Sequence, residues 1–268
     1  MVFKTVNFNS LGRLSYNANW IFRGLAMVNP KTYYSFFAKF IPALLLISVG
    51  SLAAALLWML SYSDTTAIGQ ADIYWVFYLH LAASVTAIFC YCVVVIGSVF
   101  HLLHNKALMP IVFSHGFAPS GFVMTLFALG SGALFGRPMW GAFWIWDSRL
   151  TALLILLFFF AAFISLSASR VNNSRELNDK KAAISALLGL VLIPGLYFFF
   201  DLFTPMAHDL DNSLLRSNGR DAYILMSLFG LNLFCYALAM SLGRCRTVIL
   251  EREKRAVWAQ EAALEGEL

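Results

Sequence analysis

The chain has 268 residues, of which 60% are hydrophobic and only 12% charged, with a mean hydropathy of +0.73. Soluble domains carry roughly 25% charged residues, so the composition excludes an ordinary soluble protein and indicates an integral membrane protein. The formal net charge is +5, but the positions of the charges point away from a nucleic-acid partner.

Residues 1–30 read as an N-terminal cytoplasmic extension, with Trp20, Ile21, Phe22 and Leu25 suited to a short interfacial helix that ends at Asn29-Pro30. No cleavable signal peptide is expected, because the residues before Tyr33 lack a continuous apolar core. Six runs then reach the length of about 20 apolar residues that a crossing needs: 40–61, 75–100, 112–134, 150–168, 182–201 and 222–243. Pro42, Pro119 and Pro194 fall inside them, which lipid-buried helices tolerate when neighbours satisfy the freed carbonyls. The expected fold is therefore all-α, with a six-helix transmembrane domain over 31–246 and a cytoplasmic tail over 247–268. From Thr247 to Leu264 the tail alternates charged and apolar residues and reads as a helix, more simply a solvated extension than a docking element.

Six crossings place both termini on one side. The opposite side would hold only Arg137, Arg149, Arg216 and Arg220, and every other Lys and Arg lies with the termini. The positive-inside rule then makes the termini cytoplasmic and turns the loop between the third and fourth crossings outward.

Cys90, Cys92 and Cys235 lie in apolar runs and Cys245 among arginines, so no disulfide framework is expected. No Cys-x-x-Cys-His occurs, and no phosphate loop, so energy from ATP would have to come through a partner. Gly130-Ser131-Gly132-Ala133 sits in a membrane run, where small residues mean close helix packing. No protein nucleophile stands out, and the chain is expected not to be an enzyme.

The outward loop, 136–151, is the densest block of aromatics beside charges. Trp140, Trp144 and Trp146 are followed at once by Asp147 and Arg149. Read as a helix, Trp140, Phe143, Trp144 and Asp147 share a face, a flat polarisable shelf with a carboxylate at its end. An interfacial aromatic belt explains one or two tryptophans at this depth; three beside Asp-x-Arg favour a platform for a flat aromatic ligand.

The histidines sort by side. His80, at the outer end of the second crossing, and His208, in the loop before the last, share the side of the shelf. His101, His104 and His115 belong to the inner side, across a hydrocarbon core about 30 Å thick, and are read as structural. A flat macrocycle carrying iron needs the outer set: apolar faces for its ring, and imidazoles above and below its metal.

Pro138-Met139-Trp140-Gly141-x-x-Trp144-x-Trp146-Asp147-x-Arg149-Leu150-Thr151 resembles the tryptophan-rich WWD signature of haem-handling proteins, and among these the CcmC family of the cytochrome c maturation system. Tyr78-Leu79-His80, Ala118-Pro119-x-Gly121, Phe40-Ile41-Pro42 and the place of His208 extend the resemblance over residues 28 to 250. Phe143 stands where the family often has a Trp, Leu-Ala-Ala-Ser follows His80 where relatives usually have a Pro, and the spacing from Pro194 to His208 is altered. The resemblance implies that haem b is held at the outer face between His80 and His208 and against the WWD loop. It implies delivery to the haem chaperone CcmE, in a complex with the ABC-type subunits CcmA and CcmB and the small membrane subunit CcmD. Asp147 and Arg149 would orient the haem through partner charges or propionates.

Two other readings compete. A cytochrome b-like electron-transfer subunit would place histidines deep within its crossings, whereas His80 is near an end. A small-molecule transporter with an aromatic gate would line its crossings with polar residues near the midplane, and these runs are conspicuously apolar.

Overall fold

The computed structural model describes residues 29–62, 71–104, 108–169, 174–203 and 219–264, with the side chains of α5 described as far as Pro194. The interfacial helix expected before Asn29, and with it Lys106, His208 and Arg216, lies outside them. Seven helices make up the described residues: α1 (Pro30–Tyr62), α2 (Ala71–Leu103), α3 (Leu108–Trp140), α4 (Ser148–Ala168), α5 (Arg175–Phe203), α6 (Gly219–Glu253) and α7 (Val257–Leu264). Five of them, α1, α2, α3, α4 and α6, are long and apolar enough to cross a membrane. The expected run 182–201 falls within α5.

Apolar side chains cover the outside of this bundle. Leu46, Leu60 and Val191 are each more than 70% exposed, a pattern that water-soluble surfaces avoid and lipid accepts. This is the architecture of an integral membrane protein.

Helix ends follow local chemistry. Asn29 caps α1 by accepting the Lys31 N–H on its Oδ1 at 3.1 Å, and Pro30 occupies the first helical position, where its missing N–H costs nothing. α3 stops at Gly141, whose φ of 74° lets its N–H close on the Arg137 carbonyl at 3.0 Å. α4 starts from Asp147, whose carboxylate accepts the Leu150 N–H at 2.7 Å.

Inside, small residues let the helices approach: Ala83, Ala87, Ala118 and Ala128 are fully buried in the main core. Buried polar groups bridge helices rather than face lipid. The Tyr91 hydroxyl donates to the Ala186 carbonyl at 2.8 Å, joining α2 to α5. Ser114 Oγ donates to Val94 O at 3.0 Å, joining α3 to α2. Asn232 Nδ2 donates to Ser48 O at 2.8 Å, joining α6 to α1. The four cysteines are free thiols.

The tail departs from the expectation of one solvated helix. α6 runs unbroken past position 247 to Glu253, and α7 folds back so that Ala259 is buried and Trp258 packs against the core. The cause is aromatic: the Trp258 and Tyr34 rings lie 6.0 Å apart, and the Arg246 guanidinium sits 4.2 Å from the centre of the Tyr34 ring.

Candidate functional site

A cavity of about 450 Å³ opens between α2, α3, α4 and α5, within the roughly 300–1,000 Å³ usual for small-ligand pockets. Its walls include Phe77, Leu81, Phe135, Leu150, Leu153 and Leu156. Of the residues singled out in the sequence, His80, Trp140, Asp147 and Arg149 line it.

His80 is held from behind. Its Nδ1 lies 2.7 Å from the Ala128 carbonyl oxygen. A carbonyl can only accept, so Nδ1 carries the proton and Nε2 keeps the lone pair, the arrangement that orients a metal-ligating imidazole. Gly132 makes room for this contact. A Cβ there would stand 2.9 Å from both Cε1 and Nδ1 of His80, whereas one at Gly130 would meet nothing within 4 Å. The small-residue run is thus a notch for one side chain.

The tryptophan block is not the helical face that its spacing suggested. Residues 141–147 are non-helical between the end of α3 and the start of α4, because Gly141 reverses the chain and Asp147 restarts it. Trp140 stays on the last turn of α3, edge-on to Phe135 with centroids 6.0 Å apart and planes at 86°. Trp144 and Trp146 pack edge to face, 5.5 Å apart at 81°, so they form a corner rather than a flat shelf. Trp146 is 67% exposed. Phe143 is exposed under the Arg137 guanidinium, 5.2 Å away, and Arg137 Nη1 also donates to the Gly141 carbonyl at 3.0 Å. None of Phe143, Trp144 and Trp146 is among the cavity's lining residues.

Asp147 is buried, and one of its oxygens is engaged in capping α4. Arg149, two residues on, is thereby fixed in the first turn of that helix. Trp144 Nε1 is a buried donor without a hydrogen-bond partner among the described residues. Such an orphan calls for an acceptor that the described residues do not supply. The cavity's own donor set suits a flat apolar ligand with a metal centre and an anionic edge: the His80 lone-pair nitrogen, apolar walls and the Arg149 guanidinium.

His101 lies on the same helix as His80, twenty-one residues away, which is about 31 Å at 1.5 Å per residue. His101 is buried, and neither ring nitrogen has a partner among the described residues. His115 belongs to a network between α3, α5 and α6: its Nε2 is 2.9 Å from Asp179 Oδ1, and Arg252 donates to both Asp179 oxygens at 2.7 and 2.9 Å. Burial alone would push the Asp179 carboxyl up. The hydrogen bonds from His115 and Arg252, with the Arg252 charge, outweigh it and hold the group down at about 2.

The sequence did not point to Phe77, Ser84, Phe135 and Ile193 as cavity lining. They are ordinary apolar or small helix residues, and the only local signal was the glycine at 132.

A family model described as "Heme exporter protein C" matches residues 24–260. The chain belongs to this family. It is similar to the heme exporter protein C of Escherichia coli (strain K12), 30% identical over 88% of this chain and 94% of that protein. It is 25% identical to the protein of the same name from Haemophilus influenzae, over 87% of this chain and 94% of that one. It is also 38% identical to a Marchantia polymorpha protein named as a putative cytochrome c biosynthesis ccmC-like mitochondrial protein, over 48% of this chain and 53% of that one.

Proposed function

We propose that this heme exporter family member holds haem b at the outer face of the membrane and delivers it to the chaperone CcmE during c-type cytochrome maturation. The observation that carries the reading is the His80 imidazole. It lines an apolar cavity, its Nδ1–H is spent on the Ala128 carbonyl, and its Nε2 lone pair is left for a metal.

The haem is cargo, and each residue's part follows from its place. His80, on rigid α2, would be one axial ligand; His208 would be the other. Phe77, Phe135 and Leu150 offer apolar surface to the macrocycle, and Trp140 adds an aromatic edge. Arg149, which lines the cavity, would meet a propionate, where charge-assisted hydrogen bonds are strong, and Trp144 would steady the loop through its edge-to-face contact with Trp146. Asp147 acts through the backbone, by fixing the helix start that carries Arg149. The exposed Trp146 and Phe143 would present the loop to the acceptor.

In this reading α5 completes six crossings and both termini are cytoplasmic. The membrane is a bacterial cytoplasmic membrane, with the mitochondrial inner membrane as the alternative source. CcmA, CcmB and CcmD would be its partners, with ATP used by the ABC-type pair and not by this chain.

An absorption spectrum of the full chain, purified after haem-replete expression with its partners, tests the reading. A Soret band that is lost on His80→Ala is expected. A spectrum without haem under those conditions would contradict it. A haem that undergoes reversible redox cycling with a quinone but never reaches CcmE would favour the electron-carrier alternative.

A further inference from the structure

At the end of the bundle away from His80, the α6–α7 joint and the first turn of α5 line a second, open cavity of about 430 Å³. Arg175, Arg252, Glu253, Lys254, Arg255 and Ala256 line it, so four basic residues face one acidic one. The fold already aims two of the cations. Arg252 is gripped by both Asp179 oxygens, and Arg175 Nη1 donates to the Glu251 carbonyl at 3.2 Å. Lys254 and Arg255 are exposed and make no ion pair among the described residues. Ala256 stands at the head of α7, its carbonyl accepting from Ala259 and Gln260, and has no side-chain oxygen to offer the N–H groups of the first turn.

The level of this cavity is set by its neighbours. Arg244, Arg246 and Arg252 crowd the last turns of α6, and Lys254 and Arg255 follow at once, a run of cations that belongs beyond the hydrocarbon rather than within it. Arg252 lies six residues beyond Arg246 on α6, about 9 Å further out, where headgroup phosphates are found. Val257 and Leu264, at the two ends of α7, are 69% and 87% exposed, as suits a helix resting against acyl chains.

We propose that this cavity binds the phosphate of an anionic phospholipid headgroup in the leaflet on the side of the chain termini. The proposal rests on the membrane topology above and not on haem binding. Paired guanidiniums recognise phosphate oxygens through parallel N–H donors, and a basic pocket between cytoplasmic helix ends suits an anionic lipid. The lipid would fasten α7 to the start of α5 and the end of α6. A free phosphate would satisfy the same donors without the acyl contact that Val257 and Leu264 offer.

Native mass spectrometry of the haem-free full chain in detergent, with phosphatidylglycerol and phosphatidylcholine supplied equally, tests the proposal. The expected result is one retained phosphatidylglycerol per chain, reduced at least about tenfold in a Lys254→Gln/Arg255→Gln variant. A Lys31→Gln/Lys39→Gln variant removes the same charge from the same end of the bundle, outside the cavity, and should retain the lipid. Excess inorganic phosphate should not displace it. Equal loss in both variants would show a diffuse basic field, undiminished retention in the first would remove the site, and displacement by phosphate would overturn the lipid assignment. A thermal-unfolding scan keeps a misfolded variant from passing as a loss of binding.

Discussion

The Nδ1–H of His80 donates to the Ala128 carbonyl at 2.7 Å, tying α2 to α3 at the wall of the apolar cavity and turning the ring's lone pair to Nε2. Both residues sit in long helices, so the imidazole is aimed by rigid elements before any ligand arrives. A holder that must later release its cargo gains from one fixed ligand, because the fixed one sets the ring's orientation while the other lets go.

The first expected outcome concerns the notch behind that ring. Gly132→Val places atoms where the His80 imidazole lies, since even a Cβ would stand 2.9 Å from it. Haem recovered with the chain should fall about 10-fold or more, as when a supporting partner of a metal ligand is lost. Gly130→Val faces open space and should behave like the unmodified chain. Haem per molecule, from the ratio of Soret to protein absorbance, reads both.

Asp147 separates a capping role from a charge role. Asparagine caps a helix about as well as aspartate, whereas alanine costs about 1 kcal/mol. If the carboxylate serves mainly to start α4, Asp147→Asn keeps most transfer to CcmE and Asp147→Ala loses it. Equal loss in both would mean that the charge itself meets the haem or a partner.

Trp144 and Trp146 are expected to act in transfer rather than insertion. Replacing either with Ala should lower haem delivered per molecule while membrane levels of the chain hold. Belt tryptophans would show the opposite pattern, a fall in level with transfer per molecule intact.

The network of His115, Asp179 and Arg252 gives a pH signature. Asp179 has a folded pKa of about 2, below its ordinary value. Its stabilisation is therefore fully present above the ordinary carboxylate range and is lost as pH falls through about 2. The size is ~2 kcal/mol. Unfolding of the detergent-solubilised chain between pH 6 and 2 should show this loss, and Asp179→Asn should flatten it. At neutral pH that variant is destabilised, because His115 and Arg252 lose their shared acceptor.

Much of the fold was legible because bilayer crossing is a composition signal. The runs at 75–100 and 150–168 lie inside α2 and α4, and where helices extend further, as α3 does to Trp140, they do so through residues too polar for the hydrocarbon count. Of the residues singled out around the motif, some come together and others do not. His80, Trp140, Asp147 and Arg149 line one cavity, yet the shared helical face does not exist, because the positive φ of Gly141 ends α3 inside the motif. Glycine is a common helix terminator and an equally common packing residue, so spacing alone could not decide. The link between His115, Asp179 and Arg252 joins three helices across 64 to 137 positions, and no local pattern announces such a contact. Trp258 looked like part of a solvated tail because its partner, Tyr34, is at the other end of the chain.

Topology can be read with cysteines on both faces. Ala142→Cys, in the loop after α3, should label from outside, whereas Leu177→Cys, in the first turn of α5, should not. An outward Leu177→Cys would separate the His80 cavity from the compartment of CcmE.

The most direct test of the central claim is the spectrum of the His80→Ala chain with and without added imidazole. The vacated site needs only a nitrogen, so the account expects loss of most of the Soret band and its partial return with imidazole, with the same behaviour for His208→Ala. His101→Ala and His104→Ala should keep their haem. An imidazole-insensitive loss at both outer positions, or an equal loss at the inner ones, would contradict axial ligation by His80 and His208.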